Sequence, residues 1–111
     1  MGAKNYTCNN TYVYEILFAI DVEKDLKKFR AFERKAILDA IEKSLAYEPT
    51  KPAKNRKVLV NFTPPWDAEP PVWELRVGEY RVFYDVDDEA IQVQVRAVRH
   101  KPLGKTTEDI A

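Results

Sequence analysis

The stretch Trp73-Glu-Leu-Arg-Val-Gly-Glu-Tyr-Arg-Val-Phe-Tyr-Asp-Val-Asp87 is typical of two β-strands joined by a tight turn. β-Branched and aromatic residues flank Gly78-Glu79, and glycine accepts the backbone angles that a short hairpin requires. The acidic run Asp87-Asp88-Glu89 supplies a second turn, so we predict strands over about 72–77, 80–87 and 90–99. An antiparallel meander therefore fills the C-terminal half of the chain.

The residues before this meander predict another strand, two helices and a further strand. Residues 12–20 are rich in β-branched and aromatic side chains, and Asp21 is expected to cap a short helix over about 22–29. A longer helix is expected over about 31–47, followed by a strand at 57–62 and a proline-rich loop at 63–71. The longer helix carries an apolar stripe at helical spacing: Phe32, Ala36, Ile37, Ala40, Ile41 and Leu45.

This order of elements predicts an α+β fold. We expect an N-terminal strand, two helices and then a four-stranded antiparallel meander, with the helices packed on one face of the sheet. The 111 residues suffice for one domain. Residues 1–11 are expected to form a flexible arm, residues 12–101 a single domain and residues 102–111 a C-terminal tail.

Composition argues against several kinds of site. Cys8 cannot form an internal disulfide, and neither it nor His100 has partners spaced for metal binding or nucleophilic catalysis. No metal or other cofactor is therefore expected. The first residues lack a secretion signal, and no apolar run approaches the ~20 residues that cross a bilayer. We expect a cytoplasmic protein.

Charge is balanced overall but unevenly distributed. The chain has 18 basic and 18 acidic residues, so its formal net charge is zero. Residues 51–57 and 96–105 contain bases and no acid, whereas residues 67–89 hold eight acids and, as bases, only Arg76 and Arg81. Arginines clustered on a sheet could bind phosphate groups. The alternative is an ordinary solvated surface, where such charges contribute little.

The 73–87 stretch resembles the central hairpin of the RelE/ParE toxin superfamily, whose members are small bacterial proteins of toxin–antitoxin pairs. Gln94-Val-Arg-Ala-Val-Arg-His-Lys101 is similar to the last strand of that superfamily and the basic turn after it. Asn55-Arg56-Lys57-Val58-Leu59 resembles the start of the second strand in one subgroup. The resemblance covers about residues 12–101 and implies the same α+β fold.

RelE-type members cleave mRNA in the ribosomal A site without a metal, using basic side chains to promote attack of a ribose 2′-OH on the adjacent phosphate. The resemblance thus implies a translation-inhibiting mRNA interferase, with a cognate antitoxin, the ribosome and mRNA as partners. The catalytic residues that it implies are Arg81, Arg76, Lys101 and Glu74. The RNA-binding residues that it implies are Lys54, Arg56, Lys57, Arg96 and Arg99.

Two departures from the RelE pattern keep alternatives open. Glu74 stands where many nucleases of the superfamily have Lys or Arg, and residues 101–111 contain no counterpart of their late tyrosine. ParE-type members lack a nuclease site and inhibit DNA gyrase by binding it. The alternatives are therefore a non-enzymatic gyrase inhibitor, an attenuated member that only binds its antitoxin, or an interaction domain without toxicity.

Overall fold

A computed structural model of the protein describes residues 5–6 and 12–111. The predicted arm over 1–11 and its Cys8 lie outside the described residues, apart from residues 5–6. The elements are, in chain order, β1 (Asn5–Tyr6), β2 (Tyr12–Val13), β3 (Glu15–Phe18), α1 (Ile20–Lys27), α2 (Ala31–Leu45), β4 (Arg56–Val58), β5 (Trp73–Val77), β6 (Tyr80–Asp87), β7 (Gln92–His100) and α3 (Thr107–Ile110).

Five strands form the main sheet, in the order β3-β7-β6-β5-β4. Strands β4 to β7 pair antiparallel in succession, which confirms the predicted meander. Strand β3 pairs parallel with β7, for instance through Ile16 and Val93, so the sheet is mixed. Helices α1 and α2 connect β3 at one edge to β4 at the other. Parallel neighbours cannot be joined by a hairpin, and here the chain between β3 and β7 runs through both helices and strands β4 to β6.

The first helix begins earlier than predicted. It starts at Ile20, and its N-cap residue is Ala19, which makes no side-chain capping hydrogen bond. The prediction that Asp21 caps this helix is therefore wrong. Asp21 lies inside the first turn, where a carboxylate still interacts favourably with the helix dipole.

The helices cover one face of the sheet, as predicted. Ile37, Ile41 and Leu45 of α2 are at most 1% exposed and pack with strand residues such as Leu75 and Val82. Phe32, at the start of the predicted stripe, is 66% exposed, so the buried part of the stripe begins at Ile37. None of the helices within residues 12–111 is long and apolar enough to span a membrane.

The opposite face of the sheet is covered by a second, smaller cluster. Phe83 is fully buried there, stacks on Phe62 at a ring distance of 5.9 Å, and lies 5.3 Å from the ring of Trp66. Ile110 of α3 packs on the same cluster. The proline-rich loop and the C-terminal helix thus shield the apolar part of this face, beside which charged side chains gather in a cleft.

Candidate functional site

Strand alternation places charged residues on the face opposite the helices. Along β5, Leu75 belongs to the helix-side core, so its neighbours Glu74 and Arg76 point to the other face. Register puts Lys57 of β4 beside Glu74, and Arg81 of β6 beside Arg76. These side chains share a cavity of about 220 Å³, which we call the basic cleft. It is lined by Ala53, Lys54, Asn55, Arg56, Lys57, Glu74, Arg76, Arg81, Lys101 and Thr107.

Two backbone hydrogen bonds bring separate segments to the basic cleft. The amide of Lys101 donates to the carbonyl of Glu79 at 2.6 Å, which holds the end of β7 against the Gly78-Glu79 turn. The amide of Arg76 donates to the carbonyl of Asn55 at 2.7 Å, which holds the basic connector against β5. Gly78 has a φ of +58°, an angle that glycine adopts without strain. The structure therefore gathers three distant stretches of sequence.

Arg81 is the most buried base of the cleft, at 9% exposure. Its Nη1 donates to the carbonyls of Gly78 and Tyr80, each at 2.9 Å. Burial lowers the pKa of this guanidinium; the Glu74 carboxylate opposes that effect and Arg76 adds to it. Two of the five guanidinium N–H groups are used by these bonds, so three remain without an acceptor among the described residues. The turn thus holds Arg81 in place and leaves donors for an anion.

Glu74 is the acidic side chain among the residues that line the cleft, and it is 4% exposed. Its Oε2 accepts a hydrogen bond from the Thr107 hydroxyl at 2.7 Å. Its Oε1 lies 3.6 Å from Lys57 Nζ, too far for a hydrogen bond. One carboxylate oxygen is therefore fixed by α3, and the other has only a loose ion pair.

Thr107 was missed by the sequence analysis, although a signal for it exists. Thr106 caps α3 by accepting from the amide of Asp109 at 3.2 Å, and the Asp109 carboxylate accepts in return from the Thr106 amide at 3.0 Å. This Thr-x-x-Asp spacing resembles the capping box that begins many helices, and it could have predicted a helix in the tail.

Arg56 lines the cleft, but its side chain is engaged elsewhere. Its Nη1 donates to the carbonyl of Ser44 at 2.7 Å, and its Nε donates to the carbonyl of Lys51 at 3.0 Å. Ser44 lies in the last turn of α2, where carbonyl groups lack helical partners. Arg56 therefore stabilises the end of this helix. Lys54, Lys57 and Arg76 are exposed at the cleft.

The structure does not bring Arg96 and Arg99 to the basic cleft. Arg96 forms a two-pronged ion pair with Asp85, at 2.7 and 3.2 Å. Arg99 donates to Asp25 at 2.6 Å, and the same carboxylate oxygen accepts from the amide of Val98 at 3.1 Å. Both arginines thus neutralise buried carboxylates of this chain.

His100 also lies outside the cleft. Its Nε2 is 3.0 Å from Glu79 Oε1, and its ring is 5.3 Å from that of Tyr80. Tyr80 donates a hydrogen bond to Glu33, which raises the pKa of Tyr80 to about 12 and lowers the pKa of Glu33. This cluster ties the hairpin turn to α2.

A larger cavity, of about 810 Å³, lies between β3 and α2. Its lining is largely apolar and includes Ile16, Phe18 and Leu38, but none of the predicted site residues. Cavity volume does not decide which of these two cavities is the candidate site, because recognition of phosphate groups depends on positively charged side chains held in position. Within residues 12–111, no cluster of His, Cys, Asp and Glu is arranged to hold a metal ion. The basic cleft is therefore the candidate site.

The sequence and the fold of this chain match those of a known protein family. The model of the ParE toxin of type II toxin–antitoxin systems matches residues 16–101. Curated proteins give no match. The chain is similar in structure to the toxin–antitoxin complex RelBE2 from Mycobacterium tuberculosis, with 24% identity, a TM-score of 0.64, and coverage of 80% of this chain and 92% of that one.

Two further solved structures share the fold. The archaeal RelE–RelB complex from Pyrococcus horikoshii has 24% identity and a TM-score of 0.62, with coverage of 85% of this chain and 99% of that chain. The isolated E. coli RelE toxin has 19% identity and a TM-score of 0.59, with coverage of 83% and 88%. Since the family model spans most of the sequence, the chain belongs to the ParE toxin family of type II toxin–antitoxin systems, within the RelE/ParE superfamily.

Proposed function

We propose that this toxin inhibits translation by ribosome-dependent, metal-independent cleavage of mRNA in the basic cleft. The observation that carries the proposal is the environment of Arg81. Its guanidinium is nearly buried and is held by hydrogen bonds to the hairpin turn, and three of its N–H groups have no acceptor among the described residues. Preorganised donors of this kind stabilise the negative charge that develops when a phosphate is attacked.

The cleft offers an excess of positive charge over negative. Lys54, Lys57, Arg76, Arg81 and Lys101 line it, with Glu74 as the acid; Arg56 is bound to backbone carbonyls. Such a group of cations suits a nucleic-acid backbone, where each neutralised phosphate releases counterions. Affinity for a single-stranded oligonucleotide should therefore fall as salt concentration rises.

The proposed reaction uses side chains that the cleft holds together. Oε1 of Glu74, which has only a loose ion pair with Lys57, takes the proton of a ribose 2′-OH. The 2′-oxygen attacks the adjacent phosphorus, and Arg81 and Arg76 stabilise the added negative charge. The bond from phosphorus to the 5′-oxygen breaks, and that oxygen takes a proton from an ammonium group such as that of Lys101. The products are a 2′,3′-cyclic phosphate and a 5′-hydroxyl.

A cognate antitoxin is the proposed protein partner. The solved structures from Mycobacterium tuberculosis and Pyrococcus horikoshii are complexes of a toxin with an antitoxin, which supports the same arrangement here. An antitoxin with acidic side chains could cover the basic cleft, because complementary charges favour such pairing.

Gyrase inhibition without catalysis is the second candidate. It is favoured by the family model, which is that of a ParE toxin, and by the tail, which carries no aromatic side chain over residues 101–111. In place of an aromatic ring, this tail contributes the hydroxyl-bearing side chain of Thr107 in α3 to the lining of the cleft. A gyrase inhibitor would use the surface of the protein without needing Glu74 as a base.

Tightly controlled expression in bacteria separates these candidates. Growth arrest accompanied by new mRNA ends within codons, mapped by primer extension, is the expected result. Arrest without such ends, together with loss of supercoiling by purified gyrase when the toxin is added, would replace the nuclease proposal with gyrase inhibition. Unimpaired growth at a verified expression level would reject both activities.

A further inference from the structure

The hydrogen bond from Thr107 to Glu74 joins the C-terminal helix to the basic cleft. Thr107 is 9% exposed and Glu74 is 4% exposed, so the bond, at 2.7 Å, is largely shielded from water. The family model ends at residue 101. The contact is therefore made by a segment beyond the part of the chain that the family match covers.

Two features hold α3 in the position that this bond requires. Ile110 packs on the cluster around Phe83, and reciprocal hydrogen bonds between Thr106 and Asp109 fix the start of the helix. The Thr107 hydroxyl is thus brought to Glu74 by packing at the other end of α3. Both contacts are made within the chain.

Glu74 has alternative partners close by in the same cleft. Arg76 is two residues away on β5 and pairs in register with Arg81 of β6. Oε1 of Glu74 already faces Lys57 at 3.6 Å, so loss of the Thr107 hydroxyl would leave Oε2 without a donor, which is costly for a buried carboxylate. Arg81 lines the same cavity and is close enough for the charge of Glu74 to act on it, so without the Thr107 hydroxyl Oε2 would accept from Arg81 and occupy donors that a phosphate needs.

We propose that Thr107 is a positioning residue that restrains Glu74 through its Oε2, and so keeps Arg81 available to a phosphate group of the nucleic-acid backbone. The proposal rests on the proposed function, since it takes that phosphate as the ligand of the cleft. It assigns the C-terminal helix a role in binding that is separate from covering the apolar cluster.

A double-mutant comparison tests this role by binding alone. The probe is a fluorescently labelled single-stranded DNA oligonucleotide, which has no 2′-OH and cannot be cleaved by the proposed route. Its dissociation constant is measured at low salt for the wild type, Thr107→Val, Thr107→Ser, Glu74→Gln and the Glu74→Gln/Thr107→Val double variant. Thr63→Val, in the exposed part of the proline-rich loop, is the matched control.

The Thr107→Val variant should bind roughly three- to tenfold more weakly, the factor that corresponds to one lost hydrogen bond of ordinary strength. The Thr107→Ser variant retains the hydroxyl and should bind within about twofold of the wild type, as should the control. In the Glu74→Gln background the same Thr107→Val change should alter binding by less than about twofold, because no carboxylate is left to compete.

The outcomes distinguish this inference from the proposed function. Oligonucleotide binding by the wild type with no effect of Thr107→Val, or with an equal effect in both Glu74 backgrounds, would overturn the positioning role and leave the cleft as a nucleic-acid site. Absence of wild-type binding at low salt would overturn the positioning role, while the proposed function is tested separately by cleavage of mRNA on ribosomes. If circular dichroism reports that the Thr107→Val variant is unfolded, Thr107→Ala in the same two backgrounds replaces it, with the same expected coupling.

Discussion

Replacing Arg81 by alanine should sharply reduce mRNA cleavage. The guanidinium is 9% exposed, so little water screens its charge, and three of its N–H groups remain for a phosphate. Loss of one such preorganised donor costs about 3–4 kcal/mol in the transition state, or roughly 10²–10³ in rate. The Arg81→Lys variant keeps the charge but loses the planar fork, and should retain an intermediate activity.

The assay is cleavage of a defined mRNA on purified ribosomes, with the rate taken from single-turnover time courses. Arg34→Ala is the matched control, since Arg34 also donates to a backbone carbonyl, that of Phe29 at 2.8 Å, but lies outside the basic cleft. The control should cleave at a rate near that of the wild type. Circular dichroism checks that both variants are folded.

A folded Arg81→Ala variant that cleaves within about tenfold of the wild-type rate would refute the assignment, since such a loss is smaller than removal of a preorganised donor produces. A control that loses as much activity as Arg81→Ala would also refute it. In that case the loss would reflect general damage to the fold and not the chemistry of the cleft.

Three further predictions concern stability. Arg56→Ala should lower the free energy of unfolding by about 1–2 kcal/mol, because its hydrogen bonds cap the end of α2; urea unfolding measures this, and an unchanged midpoint would contradict the capping role. Asp25→Ala should cost about 3 kcal/mol by the same measurement, since it leaves Arg99 and a buried amide unpaired; a loss below about 1 kcal/mol would mean that the ion pair is dispensable. The pKa of Tyr80 is raised from 10.0 to about 12, chiefly by its hydrogen bond to Glu33. Its contribution to stability is therefore fully present below pH 10 and is lost as the pH rises towards 12. Tyr80→Phe should lose less stability over that window than the wild type does, and parallel curves would contradict the prediction.

Local patterns in the sequence determined most of the fold. Alternating apolar and polar residues around Gly78-Glu79 encode a hairpin directly, because side-chain period and turn geometry are local properties. The helical spacing of Ile37, Ile41 and Leu45 likewise predicts which face of α2 is buried. The parallel pairing of β3 with β7 was not predictable in this way, since it joins residues that are 77 positions apart in sequence, such as Glu15 and Gln92, and depends on how the helices cross the sheet.

The sequence alone identified the basic residues as candidates, but only the tertiary structure decided which of them share a site. Arg81 and Arg76 meet because strand register makes them neighbours, whereas Arg96 and Arg99 are held by Asp85 and Asp25. The charge of an arginine is fixed by its chemistry at neutral pH. Its availability depends on which carboxylate or carbonyl the fold brings within hydrogen-bond reach, and that is a non-local property.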